Sequence, residues 1–508
     1  MTTDEFASDA SSGALLRVGD VALPPSRQRE RGGRFAGGLY ELGLREGDVF
    51  ASMLRNVPEA ADVVHAAQFA GISFCPINWH FKPAEVKVLI EDSGARVLLA
   101  HGELLDDLAE VLNTNVVLLA LGPTRIARAF DYGTWLAAQG PYAGPRVSPR
   151  GHMAYTSGTT GQPKGVVREP FPFAELAVRQ QRLAQLVERA FGIRKACRAL
   201  MPAPLYHSAP STFFQNALGQ AQLVVVMPRF DAEELLSLIQ EHRIDVVYLV
   251  PIMYVRLLRL PPDTRRKYDL SSLRFVASTG APCPPDVKRA MIEWLGDVIH
   301  ETYASSESGL VTVIDSAEAL TRPGSAGRPI GDAKVRILAE DGTECATGQI
   351  GSIYVRQPAV ADFTYRHNAA ARSAIERDGL ITMGDMGYLD GDGYLYVCDR
   401  ASDMVISGGV NIYPAEVENR LMAHPDVFDC AVFGIPDAEY GEQLLAIVEI
   451  AAGGKVDEDG LQDWMKSTLA SFKVPRRIEI DALPRDDNGK IAKRKLRERY
   501  WQGQDRRV

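Results

Sequence analysis

The chain has 508 residues, is 46% hydrophobic and 24% charged, and carries a formal net charge of −9. That length exceeds one ordinary domain and supplies material for more than one buried core. With no strongly basic domain in the chain, nucleic acid is disfavoured as the main partner. The six cysteines, at positions 75, 197, 283, 345, 398 and 430, form no CxxC pair. Neither a zinc site nor a disulfide framework is indicated, and the pattern fits a reducing cytosol. The opening MTTDEFASDASS lacks the basic start and apolar centre of a signal peptide. No apolar run reaches the length of a membrane span. The final Asp-Arg-Arg-Val is not a peroxisomal tripeptide. These readings predict a cytoplasmic protein without an integral membrane segment.

In chain order, a loose tail of about a dozen residues is predicted first. Helical patterns and short apolar strands then alternate from Phe35. Asp48 to Leu54 reads as a buried strand, Pro58 to Phe69 as a helix, and Arg96 to Ala100 and Val116 to Leu121 as strands. Such alternation predicts α/β layers with largely parallel sheets. Glu175 to Phe191 reads as a scaffold helix with Leu176, Leu183, Leu186 and Ala190 near one face. Gln222 to Pro228, Asp245 to Pro251 and Arg274 to Gly280 read as further strands. The last of these ends in Gly280-Ala281-Pro282, a sharp turn at a strand end, where α/β proteins often bind ligands. Asp231-Ala-Glu-Glu234 has the spacing of a helix cap with a returning acid, ahead of Leu235, Leu236 and Ile239. From about 325 to 400, Gly and β-branched residues dominate, as in GSIYVR and GYLYVCDR, predicting a small β-rich subdomain. After Arg400 the order of elements predicts a compact α+β domain of about 100 residues. The boundary falls at Ala401 to Asp403, too short for a flexible linker and therefore read as a hinge. The domains are thus 1–400, a hinge at 401–403, and 404–508.

The most informative stretch is YTSGTTGQPKG, Tyr155 to Gly165, which follows an apolar run from His152. Glycines let backbone N–H groups approach a ligand, and hydroxyls and a lysine add donors. That set suits a polyphosphate. It is not a P-loop, because Pro163 takes the place of the second glycine and Gly165 follows the lysine. Taken singly, its Gly, Ser, Thr and Pro are ordinary loop residues. A second informative stretch, VIHETYASSESG, runs from Val298 to Gly309.

The first stretch resembles the phosphate-binding signature of the adenylate-forming superfamily, which includes acyl-CoA synthetases, peptide-synthetase adenylation domains and beetle luciferases. The resemblance extends from about Phe35 to Lys495, with its motifs in the family's order. It implies a large N-terminal domain of layered α/β sheets with a small β-rich subdomain, followed by a small mobile α+β C-terminal domain. It implies that Thr156, Ser157, Gly158, Thr159, Thr160, Gly161 and Lys164 cradle the ATP phosphates. Thr156 and Glu307 match the positions associated with Mg²⁺, for which hydroxyl and carboxylate oxygens are suitable hard donors. Tyr303 matches the residue that stacks on adenine, with Gly280, Ala281, Pro282, Glu301 and Thr302 on the nucleotide side. Ser306 matches the residue that reaches the α-phosphate. Ala304 replaces a more usual glycine and would narrow the acyl pocket. Asp385 matches the ribose-binding aspartate and Arg400 the ribose- or phosphate-binding arginine. Out of context, Asp385 is an ordinary turn acid and Arg400 a surface ion-pair partner.

Lys490, in PRDDNGKIAKRKLR, resembles the C-terminal catalytic lysine of the family. The neighbouring Lys493, Arg494, Lys495 and Arg497 are read instead as a basic solvated face. His207, in PLYHS, matches a motif beside the acyl and thioester tunnel, although a lone histidine is commonly structural. No aspartate stands between Tyr206 and Gln222 to hold a substrate amine, which disfavours an amino acid substrate. The resemblance further implies rotation of the C-terminal domain about Ser402, where Asp or Lys is more usual. It implies CoA contacts at Ser407, Gly408, Gly409, Tyr440, Phe472 and Lys473. The expected function is an acyl-CoA synthetase using ATP, Mg²⁺ and CoA on a hydrophobic carboxylic acid, fatty or bulky alicyclic or aromatic. A homodimer is the family expectation. The alternatives are transfer to a carrier-protein thiol and a low-turnover binding protein for nucleotide or acyl-adenylate. A kinase-like P-loop enzyme is disfavoured by Pro163 and Gly165.

Overall fold

The computed structural model describes residues 13–157, 163–485, 491 and 493–502. The first dozen residues, expected as a loose tail, lie outside them. The described residues form five sheets. The largest has nine strands, and its centre is parallel: Leu15–Val18, Leu223–Val226, Arg198–Met201, Val246–Leu249, Phe275–Ser278 and Ile299–Ser305 lie side by side. Antiparallel strands close both edges. A second, five-stranded parallel sheet contains Val49–Met53, Val97–His101 and Val117–Leu121, as their apolar runs predict. Parallel sheets of this kind are covered on both faces, so their strands are apolar throughout. Every residue of Val49–Met53 is buried.

The scaffold helix runs Leu176–Phe191 and buries Leu186, Val187, Ala190 and Phe191. The capped helix runs Ala232–His242. The Asp231 carboxylate accepts from the backbone N–H of Glu234, and Leu235, Leu236 and Ile239 are buried. Asn56 ties the two large sheets together. Its buried amide donates to the carbonyls of Ala203 (3.0 Å) and Met227 (2.8 Å), and its oxygen accepts from Leu205 N (3.0 Å). A buried amide satisfied on both ends fixes its neighbours far better than an apolar contact would. Here it fixes the loop that leads to His207.

The β-rich region predicted from about 325 to 400 is an antiparallel sheet of six strands, including Lys334–Leu338, Gly351–Arg356, Asp385–Leu389 and Leu395–Arg400. Two strands of that region leave it: Arg328–Pro329 joins the edge of the nine-stranded sheet, and Phe363–Tyr365 pairs with Pro163–Arg168. Residues 401–404 connect Leu395–Arg400 to Val405–Ser407. The C-terminal sheet then joins Val405–Ser407, Val410–Ile412, Val427–Asp437, Gly441–Ile450 and Arg477–Ile480. Helices Pro414–Met422 and Glu458–Lys466 pack with it over a core that includes Val417, Leu421, Leu461 and Met465. The molecule is therefore a mixed α/β chain with a large N-terminal and a small C-terminal domain. Among the described residues, no helix is long and apolar enough to cross a membrane.

Candidate active site

Gly158, Thr159, Thr160 and Gly161 lie outside the described residues, but the strands on either side of them are described. Tyr155–Ser157 turns back as Pro163–Arg168, with Thr156 opposite Lys164. Phe363–Tyr365 adds a third strand, Phe363 opposite Arg168 and Tyr365 opposite Val166. Strand residues two apart share a face, so Lys164, Arg168, Phe363 and Tyr365 stand on one side. The Lys164 ammonium lies 5.2 Å from the centre of the Tyr365 ring, and the Arg168 guanidinium 6.0 Å from that of Phe363. Arg168 also donates to the carbonyls of Ser306 (2.6 Å), Glu307 (3.0 Å) and Ala361 (2.6 Å). Burial pulls its pKa down to about 10, which leaves it cationic at neutral pH. This guanidinium holds the turn that carries Ser306 and Glu307 against the strand beside the glycine-rich segment.

Glu307 is buried, and its Oε1 accepts from Thr156 Oγ1 (3.1 Å) and from the Tyr365 hydroxyl (3.0 Å). Those two donors take up Oε1 and leave Oε2, with the Thr156 oxygen beside it, as hard oxygen donors for a cation. Mg²⁺ commonly takes one or two protein oxygens together with substrate phosphates and water. The pair fits that donor set. Among the described residues no group of three or more His, Cys, Asp or Glu gathers as a metal cage, so substrate oxygens would have to complete a cation site here.

The nucleoside-side candidates divide into two groups. The Tyr303 hydroxyl donates to Asp385 Oδ2 at 2.6 Å, and Arg400 Nε lies 3.4 Å from Asp385 Oδ1. Burial, and then the Asp385 charge, push the Tyr303 phenol well above its usual pKa, so it stays a donor. Gly280 adopts φ +95° just beyond Phe275–Ser278, and Gly280, Ala281 and Pro282 are exposed there. Behind them Thr279 Oγ1 donates to the Thr302 carbonyl (2.8 Å). The side chains of Glu301 and Thr302, by contrast, are committed to the scaffold. Thr302 Oγ1 donates to the Ala190 carbonyl (3.2 Å), and Glu301 Oε2 lies 2.8 Å from the Lys288 ammonium. Burial disfavours that ammonium, yet the Glu301 carboxylate outweighs it and the Lys288 pKa is raised.

His207 immediately precedes the helix Ser208–Gln220, with its ring 4.3 Å from that of Tyr206. Beside it is a relay that the sequence reading did not single out. The Gln215 amide nitrogen donates to the Ser211 carbonyl (3.1 Å) and meets His152 Nδ1 (2.9 Å). An amide nitrogen is only a donor, so the imidazole proton is assigned to Nε2, which meets Ser208 Oγ at 2.9 Å. Burial, and secondarily the Arg168 charge, lower the His152 pKa to about 4. Tyr155 is held as well, its hydroxyl donating to Asp92 Oδ2 (2.6 Å), while Arg366 Nε donates to the Asp92 carbonyl (2.7 Å).

In the C-terminal domain, Lys490 lies outside the described residues. Ser407 pairs with Val410 across Gly408 and Gly409, whose φ values are +58° and +84°. A two-residue hairpin turn of this hand requires positive φ at both positions, hence the glycines. Gly408 N donates to the Tyr440 carbonyl (2.9 Å), and a Cβ on Gly408 would meet the Tyr440 ring at 3.0 Å. A Cβ on Gly409 would meet nothing within 4 Å. The Arg476 guanidinium sits 4.1 Å over the Tyr440 ring. Phe472 is 51% exposed on the short 3₁₀ turn Ser471–Lys473, and the Lys473 ammonium is engaged by both oxygens of Glu416 at 2.7 Å. Of the CoA candidates, then, Ser407, Gly408, Gly409 and Tyr440 meet directly.

The basic run after Lys490 is only half a solvated face. Helix Lys493–Glu498 buries Leu496, and residues four apart on a helix share a side. Lys493 reaches Glu418 (2.6 Å), and Arg497 Nη1 donates to the Ser402 carbonyl (3.3 Å) with Asp403 at 3.8 Å. Arg494 and Lys495 are exposed, as expected of a solvated face.

Known proteins resemble this chain over nearly its whole length. The model of the AMP-binding enzyme family matches residues 27–363, and that of the AMP-binding enzyme C-terminal domain matches residues 416–490. A feruloyl-CoA synthase of an Amycolatopsis species is 35% identical over 500 residues, 96% of this chain and 95% of that protein. A 2-succinylbenzoate–CoA ligase of Bacillus licheniformis is 33% identical over 476 residues, 91% of each chain. Among solved structures, the amide bond synthetase McbA of Marinactinospora thermotolerans superposes with a TM-score of 0.84 at 26% identity, covering 96% of this chain and 97% of that one. The chain belongs to the AMP-binding enzymes, the adenylate-forming superfamily.

Proposed function

We propose that this protein is an AMP-forming acid–CoA ligase. It activates a hydrophobic carboxylic acid with ATP, then passes the acyl group to CoA and releases AMP. The carrying observation is the convergence of Thr156 on Glu307 and of Tyr303 on Asp385. One pair sits beside the glycine-rich segment and the other at the β-rich subdomain, as a polyphosphate and its nucleoside require. The coverage of nearly the whole chain by relatives named as CoA ligases supports the same reading.

In the first step a substrate carboxylate oxygen attacks the α-phosphorus, and pyrophosphate leaves. Negative charge is present throughout, so catalysis is chiefly positioning and charge stabilisation. Thr156 to Lys164 hold the phosphates, and Ser306 reaches the α-phosphate. Thr156 and Glu307 would hold Mg²⁺, which supplies charge neutralisation at the phosphates. The adenine lies between Tyr303 and Gly280–Pro282. Asp385 accepts the ribose hydroxyls, since a carboxylate has about four lone-pair sites and can keep Tyr303 as a donor. Arg400 completes that end. Lys490 bridges the carboxylate and α-phosphate.

In the second step the CoA thiol attacks the acyl carbonyl and AMP leaves. The C-terminal domain, 404–508, turns about the 401–403 hinge between the steps. Rotation about a short element end is a usual way to rebuild one site for two reactions. Gly409 then lines the pantetheine path, with Tyr440, Phe472 and Lys473 toward the CoA nucleotide and His207 beside the acyl group. Aromatic or bulky alicyclic acids are favoured alongside fatty acids, because the two named CoA ligases act on ring-bearing acids. A cytoplasmic location is part of the proposal, supported by six unpaired cysteines.

The test is a pyrophosphate-release screen over acids of varied length and ring content, with CoA, a carrier protein or neither as acceptor. The expected outcome is acid-dependent pyrophosphate release, with AMP and an acyl-CoA formed when CoA is present. ADP as the product would overturn adenylation, and AMP release only with the carrier protein would overturn the CoA assignment.

A further inference from the structure

Glu307 is met by two donors, and only Thr156 belongs to the cation pair considered above. Both Thr156 Oγ1 and the Tyr365 hydroxyl bond the same carboxylate oxygen, Oε1, at 3.1 and 3.0 Å. No described residue donates to Oε2. The last torsion of a glutamate is soft and roughly two-fold, so a carboxylate held by Thr156 alone could turn its plane. A second donor at the same oxygen, arriving from another strand, pins the plane and leaves Oε2 available. The same tyrosine presents its ring face to the Lys164 ammonium at 5.2 Å, within reach of a cation–π contact. One side chain therefore touches both the carboxylate assigned to the cation and the lysine assigned to the phosphates.

We propose that Tyr365 is a positioning residue for Mg²⁺–ATP, its hydroxyl aiming Glu307 at the cation and its ring seating Lys164. This rests on the ATP-dependent reading above. The fold explains how a residue so distant in sequence takes this place. Phe363–Tyr365 pairs with Pro163–Arg168 rather than with the sheet of its own subdomain. Arg168 then ties that strand to the Ser306 and Glu307 carbonyls. The hydroxyl of Tyr365 is set by backbone pairing and by the Arg168 clamp, independently of any bound ligand. Outer partners of metal ligands act in this way, and removing one commonly costs about 10-fold or more in metal affinity.

Tyr365→Phe removes the hydroxyl and keeps the ring, whereas Tyr365→Leu removes both. ATP binding to the full-length protein is measured by calorimetry in EDTA and across a range of free Mg²⁺. In the wild type, Mg²⁺ is expected to tighten ATP binding. Tyr365→Phe is expected to lose about 10-fold of that tightening and to keep the wild-type affinity in EDTA. Tyr365→Leu is expected to lose the tightening and also to bind ATP more weakly in EDTA, because Lys164 loses its seat. On a Glu307→Gln background, Tyr365→Phe is expected to add nothing further. Wild-type Mg²⁺ dependence in a folded Tyr365→Phe protein overturns the inference, as does an undiminished effect on the Glu307→Gln background. Failure of the wild type to bind ATP overturns the parent reading and this inference together, so the two failures are distinguishable.

Discussion

A half-buried histidine that stays neutral makes a measurable demand on the fold. His152 keeps one hydrogen-bond partner at each ring nitrogen, Gln215 and Ser208, and burial lowers its pKa to about 4. In the unfolded chain the same imidazole titrates near its ordinary value of about 6.5. Between those values the unfolded state binds more protons, so stability falls as pH drops from about 6.5 toward 4 and levels off below. At pH 5 the contribution lost from this one group is about 2 kcal/mol relative to pH 7. A His152→Gln protein should therefore show a smaller drop in unfolding free energy between pH 7 and pH 5 than the wild type. Equal drops in the two proteins would show that His152 accepts its proton without disturbing its partners. At this scale the sequence made legible the residues whose neighbours in the string declare them: Thr156 among glycines, Glu307 after Tyr-Ala-Ser-Ser, Asp385 in Met-Gly-Asp. Tyr365, Arg168, Gln215 and Asn56 were illegible because their meaning lies in hydrogen-bond partners 58 to 193 residues away. Glu301 and Thr302 show the converse. Their place beside Tyr303 suggested the nucleotide, yet their side chains face Lys288 and the Ala190 carbonyl.

At the scale of elements, apolar runs and caps gave the parallel strands and helices to within a few residues, because burial on both faces writes a continuous pattern into the chain. Pairing of Phe363–Tyr365 with Pro163–Arg168 could not be read, since a three-residue strand carries too little pattern to name its partner. The basic run from Lys493 to Arg497 looked uniformly solvated until Leu496 showed which side of its helix is buried. The Gly408–Gly409 turn sharpens an expectation of the sequence. Gly408 is crowded by Tyr440, but Gly409 faces open space. A Cβ at 409 would meet no neighbour there, and its cost would come from φ +84°, about 1–2 kcal/mol for a residue with a Cβ. Gly409→Leu should fold, keep acid-dependent pyrophosphate release and lose acyl-CoA formation, because the added side chain projects where pantetheine is proposed to pass. Wild-type acyl-CoA output from this variant would refute the assignment of Gly409 to the tunnel. Lys490→Ala should do the opposite, losing pyrophosphate release while still making thioester from supplied acyl-adenylate.

Across the whole molecule, polar contacts between described residues of the two domains, beside the packing of Met422 against the N-terminal core, bear on how freely the smaller one can turn. Arg259, at the end of the helix Pro251–Leu258, donates to the carbonyls of Val427 (3.1 Å) and Phe428 (3.2 Å) and lies 3.9 Å over the Phe428 ring. Asp399, on the last strand before the hinge, accepts from Ala415 N (2.9 Å) at the start of the first C-terminal helix. The Asp399 contact lies close to the connection and can survive a rotation about it. The Arg259 contact lies on the body of each domain, so a large rotation must break it. Two hydrogen bonds to carbonyls and a partly exposed cation–π contact are together worth about 1–2 kcal/mol, enough to change the ratio of two orientations by roughly 5- to 30-fold. Arg259→Ala should therefore shift the protein away from this orientation by that ratio. Dyes placed on the two domains would report the shift as a changed distribution of transfer efficiencies, with the melting temperature of each domain preserved. The variant should also change the balance between the pyrophosphate-releasing and thioester-forming half-reactions, since one orientation is lost in favour of the other. An unchanged distribution would mean that the orientation is held by contacts near the hinge, with Asp399, Lys493 and Arg497 carrying it in place of Arg259.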